Sequence, residues 1–137
     1  MLETIRLICD SGLLILIWIV QLIIYPSFSY YNREDLLKWH ETYTKSIAII
    51  VIPLMFGQLI VTIIQVYHNQ DFYTITSILL VLCVWLSTFL QFVPLHTSIS
   101  NGKDVELSIK KLKLHNWLRT VLWSFIFIVT FYFNFKT

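Results

Sequence analysis

The sequence predicts an all-α fold, an integral membrane four-helix bundle with a short amphipathic interfacial helix between the third and fourth spans. Two observations carry this prediction. Hydrophobic residues make up 57% of the chain and charged residues 13%, with only three Gly and three Pro and a mean hydropathy of +0.72. That balance is far more apolar than a soluble domain tolerates. The charges are also segregated, since the intervals 11–32, 46–70, 72–102 and 120–135 hold no Lys, Arg, Asp or Glu. About 20 apolar residues cross about 30 Å of hydrocarbon as a helix, so each interval accommodates one span. The spans fall at about 5–30, 46–67, 72–95 and 116–135, in a single transmembrane domain over 1–137.

The first span begins within MLETIRLICD, an N-terminus that has no basic n-region, and no small-residue cleavage site follows the apolar run, so it reads as a retained helix. Near its exit Gln21 and Tyr25 share a face at i, i+4. Pro26 is tolerated there if neighbours satisfy the freed backbone. Asn32 with Asp35 three residues later reads as an N-cap and a favourable acid in the first turn of the next helix. Along that helix Leu36, His40, Tyr43 and Ile47 form one stripe.

In the second span Pro53 and Gly57 allow a kink or a close helix approach, and Gln58 must find a partner inside the bundle. The third span has a polar inner third in Ser87, Thr88 and Gln91. Pro94 ends or bends it, and His96 emerges just beyond. Asn101-Gly102 is a turn signal. Val105, Ile109 and Leu112 then form an apolar stripe flanked by lysines, which reads as a short interfacial helix, with a solvated lysine loop as the alternative. Span four begins at HNWLRTVLW, where His115, Arg119 and Leu122 share a face and Trp117 and Trp123 are placed for interfacial anchoring. Arg119 either snorkels to lipid phosphates or turns inward to hold an anionic group.

Arg33, Lys38, Lys45, Lys103, Lys110, Lys111, Lys113 and Arg119 lie in or beside the loops after spans one and three, leaving Arg6 and Lys136 for the other side. The positive-inside rule then places a multi-pass protein of the cell membrane with both long loops in the cytoplasm and both termini outside. A net charge of +2 with this one-sided distribution points to anionic lipid heads as partner, not to nucleic acid. Cys9 and Cys83 stand at different depths, which argues against a disulfide between them.

The inner half and inner boundary collect Gln21, Tyr25, His40, Tyr43, Gln58, Thr88, Gln91, His96, His115, Asn116 and Arg119, while the outer half is left with little besides Asp10, Gln65 and His68. Ion-pump chemistry is set aside because no span core is expected to hold a carboxylate. Imidazoles from different helices converge on transition metals or ligate haem iron, so His40, His96 and His115 are the candidate metal ligands and His40 and His96 the candidate cofactor ligands. No local His, Cys or acid spacing signs for a metal.

YPSF, W-H-x-x-Y, IPLM, Q-x-V-P-x-H and N-W-x-R-T together resemble a largely uncharacterised group of small bacterial four-span membrane proteins, similar in layout to the anthrone-oxygenase-like membrane proteins. The resemblance covers nearly the whole chain. It marks Tyr25, Pro26, His40, Gln91, Pro94, His96, Asn116, Trp117 and Arg119; the group often has His at the position of Tyr43 and an acid at that of Gln58, and His115 stands outside its pattern.

These readings leave two functional classes open, with a small transporter ranked behind them because four spans leave little room for a pathway unless the protein oligomerises. One is a metal- or haem-dependent enzyme acting on a lipophilic small molecule, with Arg119, Asn116, Tyr43, Tyr25, Gln91 and Gln58 as substrate contacts around the histidines. The other is a non-catalytic membrane subunit or lipid-binding scaffold. A homo-oligomer is compatible with either.

Overall fold

The computed structural model describes residues 1–136, and its architecture is four long helices joined by tight turns: α1 Leu2–Tyr30, α2 Arg33–His68, α3 Phe72–Ser100 and α4 Val105–Phe135. No strand occurs among the described residues. All four helices are long and apolar enough to cross a membrane. Each packs against its neighbours in sequence and α4 closes on α1, giving an up-down-up-down bundle.

The turns are made by the residues whose side chains favour them. The Asn32 side chain accepts the Asp35 backbone N–H at 2.9 Å, so α2 starts at Arg33 as the Asn-x-x-Asp pattern predicts. At 1.5 Å per residue its 36 residues span about 54 Å, well beyond about 30 Å of hydrocarbon. The surplus is the charged N-terminal part, where Glu34–Lys38 and Glu41–Lys45 pair one turn apart on the exposed face. Asp71 starts α3 with a reciprocal capping box to Thr74. Between α3 and α4, Gly102 takes φ +66°, a left-handed conformation that Gly adopts without steric cost. The Arg33 guanidinium donates to the Gly102 carbonyl at 2.8 Å, tying the start of α2 to this turn.

Two expectations need correction. The amphipathic turns at Val105, Ile109 and Leu112 are helical and bury that stripe, but they are the first turns of α4, with no separate helix between spans three and four. Nothing between Leu112 and Trp117 breaks a helix, so the segment continues. Trp123 is no interfacial anchor either, being 1% exposed in the core. Trp117 is exposed and meets Trp18 edge-on at 6.0 Å.

The outward faces carry large apolar residues such as Ile15, Leu22, Ile49, Leu79 and Leu118, as a lipid-facing surface requires. Inside are two apolar clusters, one around Leu13, Ile17, Val81, Val84 and Ile126 and one around Phe28, Leu36, Ile99 and Leu112. Helices α1 and α2 come close at Gly57, where a Cβ would lie 3.0 Å from the Cys9 sulfur.

Candidate functional site: a histidine pair at the end of a lateral cavity

Helices α1 and α3 are deformed in the same way one turn before a proline. Val20–Ile24 and Thr88–Phe92 are π-helical, preceding Pro26 and Pro94. Proline lacks the N–H for the i−4 carbonyl and clashes with it; a π-turn widens the helix and absorbs the misfit. The residues that follow these widened turns, Tyr25 and His96, meet across the bundle. The Tyr25 hydroxyl lies 3.2 Å from His96 Nε2.

His40, fully buried on α2, completes the contact from the third side. Its Nε2 lies 2.8 Å from His96 Nδ1, the two rings stack with centroids 5.1 Å apart, and its Nδ1 lies 3.4 Å from the Ser100 hydroxyl. The Phe28 ring packs edge-on against His40 at 6.0 Å and against Tyr43 at 5.7 Å. Tyr43 and Arg119 in turn approach the Tyr25 hydroxyl. Arg119 turns inward, not to the lipid boundary: only 8% exposed, its guanidinium sits 4.1 Å from the Phe92 ring centroid and 5.0 Å from that of Trp123. Such cation–π contacts stabilise a desolvated guanidinium by about 0.5–2 kcal/mol each.

A neutral imidazole has one donor and one acceptor nitrogen. With both rings neutral, Ser100, His40, His96 and Tyr25 therefore form a chain whose hydrogens all point one way or all point the other. When His96 accepts from Tyr25, it donates to His40, which donates to Ser100. Reversing one bond reverses all. Ser100 is exposed, so the chain leads from a buried phenol to the surface.

This chain borders a cavity of about 520 Å³, within the size range of small-molecule sites. Its polar end is formed by Tyr25, Tyr43, His96, Ser100 and Arg119, and its apolar remainder by residues including Leu16, Val51, Met55 and Trp85. Along α2 the lining runs from Tyr43 to Phe56, about 20 Å at the helical rise. Ile52, Phe56, Phe89 and Val93 line it and are also exposed on the outer surface, so the cavity opens sideways between α2 and α3.

Of the substrate contacts expected from the sequence, Tyr25, Tyr43 and Arg119 line this cavity, while Asn116, Gln91 and Gln58 do not. Asn116 donates to Gln21 Oε1 at 2.9 Å and Gln21 donates to the Lys113 carbonyl at 3.3 Å, bracing α4 against α1. Gln91 accepts from the Ser87 hydroxyl at 3.2 Å. The three-histidine metal set is not assembled: among the described residues no three His, Cys, Asp or Glu side chains are placed to hold one ion, and His115 Nδ1 is buried without a partner. The histidine pair also fits a metal or haem poorly on its own. Each Nε2 is already engaged, one by the other imidazole and one by a phenol, whereas a ligating ring presents a free nitrogen to the ion.

A second polar centre lies in the half of the bundle nearer the termini, where almost none was expected. Arg6 and Asp10 are both 0% exposed and pair through Arg6 Nε and Asp10 Oδ2 at 2.7 Å. Asp10 also accepts from Gln58 Nε2 at 2.6 Å and from the Thr130 hydroxyl at 2.7 Å. Arg6 Nη1 donates to Thr62 and, at 3.4 Å, to Gln65. A span interior thus does hold a carboxylate. Arg6 and Asp10 precede the first charge-free interval, but α1 begins at Leu2, which carries both inside the bundle. Their i, i+4 spacing was the available signal. Trp123 links the two centres, donating its indole N–H to Gln58 Oε1 at 3.4 Å while its ring faces Arg119.

Against protein-family models, curated proteins and solved structures the chain shows no match.

Proposed function

We propose that this multi-pass membrane protein takes a lipophilic molecule from the bilayer through the gap between α2 and α3 and holds its oxygen-bearing head among Tyr25, Tyr43, His96 and Arg119. The observation that supports this reading is the convergence of those four side chains at one end of an otherwise apolar, laterally open cavity. His96 and Tyr25 then act as the acid/base pair on the head group. A proton taken there passes from His96 to His40 and out at Ser100, and return of a proton reverses the chain. No step in this scheme runs through a metal, because the donor set does not fit one.

The distribution of basic residues orients this chemistry: the histidine end faces the cytoplasm and both termini face outside. The sequence resemblance to small bacterial four-span proteins belongs to the same proposal, since Tyr25, His40, His96 and Arg119 are motif positions. Native mass spectrometry of the purified protein tests the reading. The wild type is expected to retain one lipophilic molecule, and Ala48→Trp, which fills the cavity, to lose it. Equal retention by both would overturn the proposal.

The second reading, a non-catalytic subunit, rests on a different feature. A groove of about 720 Å³ between residues 28–36 and 104–109 is flanked by exposed Lys103, Lys110 and Lys111. It predicts a stoichiometric protein partner whose binding is lost on Lys110→Glu with Lys111→Glu, while Ala48→Trp leaves it intact.

A further inference from the structure

The bundle buries two arginines and treats them differently. Arg6 has its own counter-ion, Asp10, which also accepts from Gln58 and Thr130; one guanidinium nitrogen, Nη2, is left without a partner, but the charge is matched. Arg119 has no counter-ion. The ion pairs among the described residues join Arg6 to Asp10, Lys38 to Glu34 and Lys45 to Glu41, and no carboxylate reaches Arg119. Its Nε is buried without a hydrogen-bond partner, and its side chain lines the cavity. Arginine keeps its charge in proteins, and an uncompensated charge inside a membrane bundle is costly. The aromatic faces of Phe92 and Trp123 and the phenols of Tyr25 and Tyr43 offset part of that cost with dipoles, not with charge.

We propose that the missing charge arrives with the ligand, and that the molecule held in the cavity is a single-chain lipophilic carboxylate whose head pairs with Arg119. This rests on the cavity reading above and names its ligand class. Three observations point the same way. The Phe92 and Trp123 rings lie at 4.1 and 5.0 Å from the guanidinium carbon, so aromatic faces and no carboxylate surround a group whose planar fork matches a carboxylate. The phenols of Tyr25 and Tyr43 line the same end of the cavity, beside the guanidinium. The apolar lining from Tyr43 to Phe56 accommodates an extended chain and opens to lipid, where a small inorganic anion would find no partner.

The test uses purified full-length protein in a non-ionic detergent with radiolabelled palmitate, displaced by unlabelled palmitate, hexadecanol, methyl palmitate or hexadecyl phosphate. Palmitate is expected to displace the label at least about ten-fold better than hexadecanol or the ester, the gain of a charge-assisted pair over a neutral one. Arg119→Gln is expected to erase that preference and Arg119→Lys to keep part of it. Should the glutamine variant fail to fold, the wild-type ranking still decides. Equal displacement by the neutral analogues overturns the carboxylate assignment and leaves the cavity reading standing. Tighter displacement by hexadecyl phosphate also overturns it, in favour of a phosphate head. No saturable palmitate binding, with no binding of any analogue, overturns both.

Discussion

His40 Nε2 and His96 Nδ1 share one hydrogen across 2.8 Å, and this bond joins α2 to α3 beside the turn where Arg33 already holds the Gly102 carbonyl. It is at once a packing contact and the middle of the proton chain. Removing either ring leaves the other with an unpaired nitrogen. His40→Ala and His96→Ala are each expected to destabilise the protein by about 1–3 kcal/mol. The double variant should cost about 1 kcal/mol less than the sum, because the second truncation removes an already orphaned group. Thermal unfolding of the four proteins in one detergent measures the coupling, and strict additivity would show that the bond contributes nothing.

The Arg6–Asp10 pair makes a sharper stability prediction. Asp10→Ala leaves a guanidinium buried beside Thr62 and Gln65 without its counter-ion, a loss of about 3–5 kcal/mol for a broken buried pair. Replacing both partners by apolar residues, Arg6→Met with Asp10→Leu, removes the two charges together and is expected to recover most of that loss. Denaturant titration that found the double variant worse than Asp10→Ala would contradict this account.

Close approach at Gly57 is testable by a compensating change. Gly57→Ala puts a methyl 3.0 Å from the Cys9 sulfur, tighter than normal packing, and is expected to cost about 1–3 kcal/mol as overpacking. Cys9→Ala removes the sulfur and should relieve most of that cost in the double variant, read as a recovery of Tm.

Much of the fold was legible in the sequence because lipid imposes a simple rule, a long apolar run for each crossing. The Asn32 cap and the Asn101-Gly102 turn followed from local chemistry. Helix ends were harder to read. Charged turns of α2 and α4 run on past the apolar intervals, and although the first span was read from about residue 5, nothing in the sequence says that Arg6 and Asp10 are buried inside the bundle. The pairing of His40 with His96 was expected from topology. That the two would bond to each other and not converge with His115 depends on the π-turns before Pro26 and Pro94, which rotate Tyr25 and His96 inward. A pattern of residue types does not display that rotation. Gln58 was expected to find a bundle partner, yet its partner is Asp10, because depth alone does not say which centre an amide joins.

Orientation is open to direct chemistry. With Lys111 and Asn69 exposed at opposite ends of the bundle, the basic-residue distribution predicts opposite labelling. Asn69→Cys should react with a membrane-impermeant maleimide in intact cells, and Lys111→Cys only after permeabilisation. The reverse pattern would invert the topology and move the histidine end outside.

The claim that a lipophilic molecule occupies the cavity with its head at Arg119 is tested most directly by photo-crosslinking in the membrane. A palmitate analogue with a diazirine near the chain end is irradiated with the protein in vesicles, and the adducts are mapped by mass spectrometry. The account predicts adducts on Met55, Phe56 or Trp85, at the apolar end of the cavity, and their loss with Ala48→Trp. Adducts confined to outward residues such as Ile15, Ile49 and Leu79, unchanged in that variant, would contradict it.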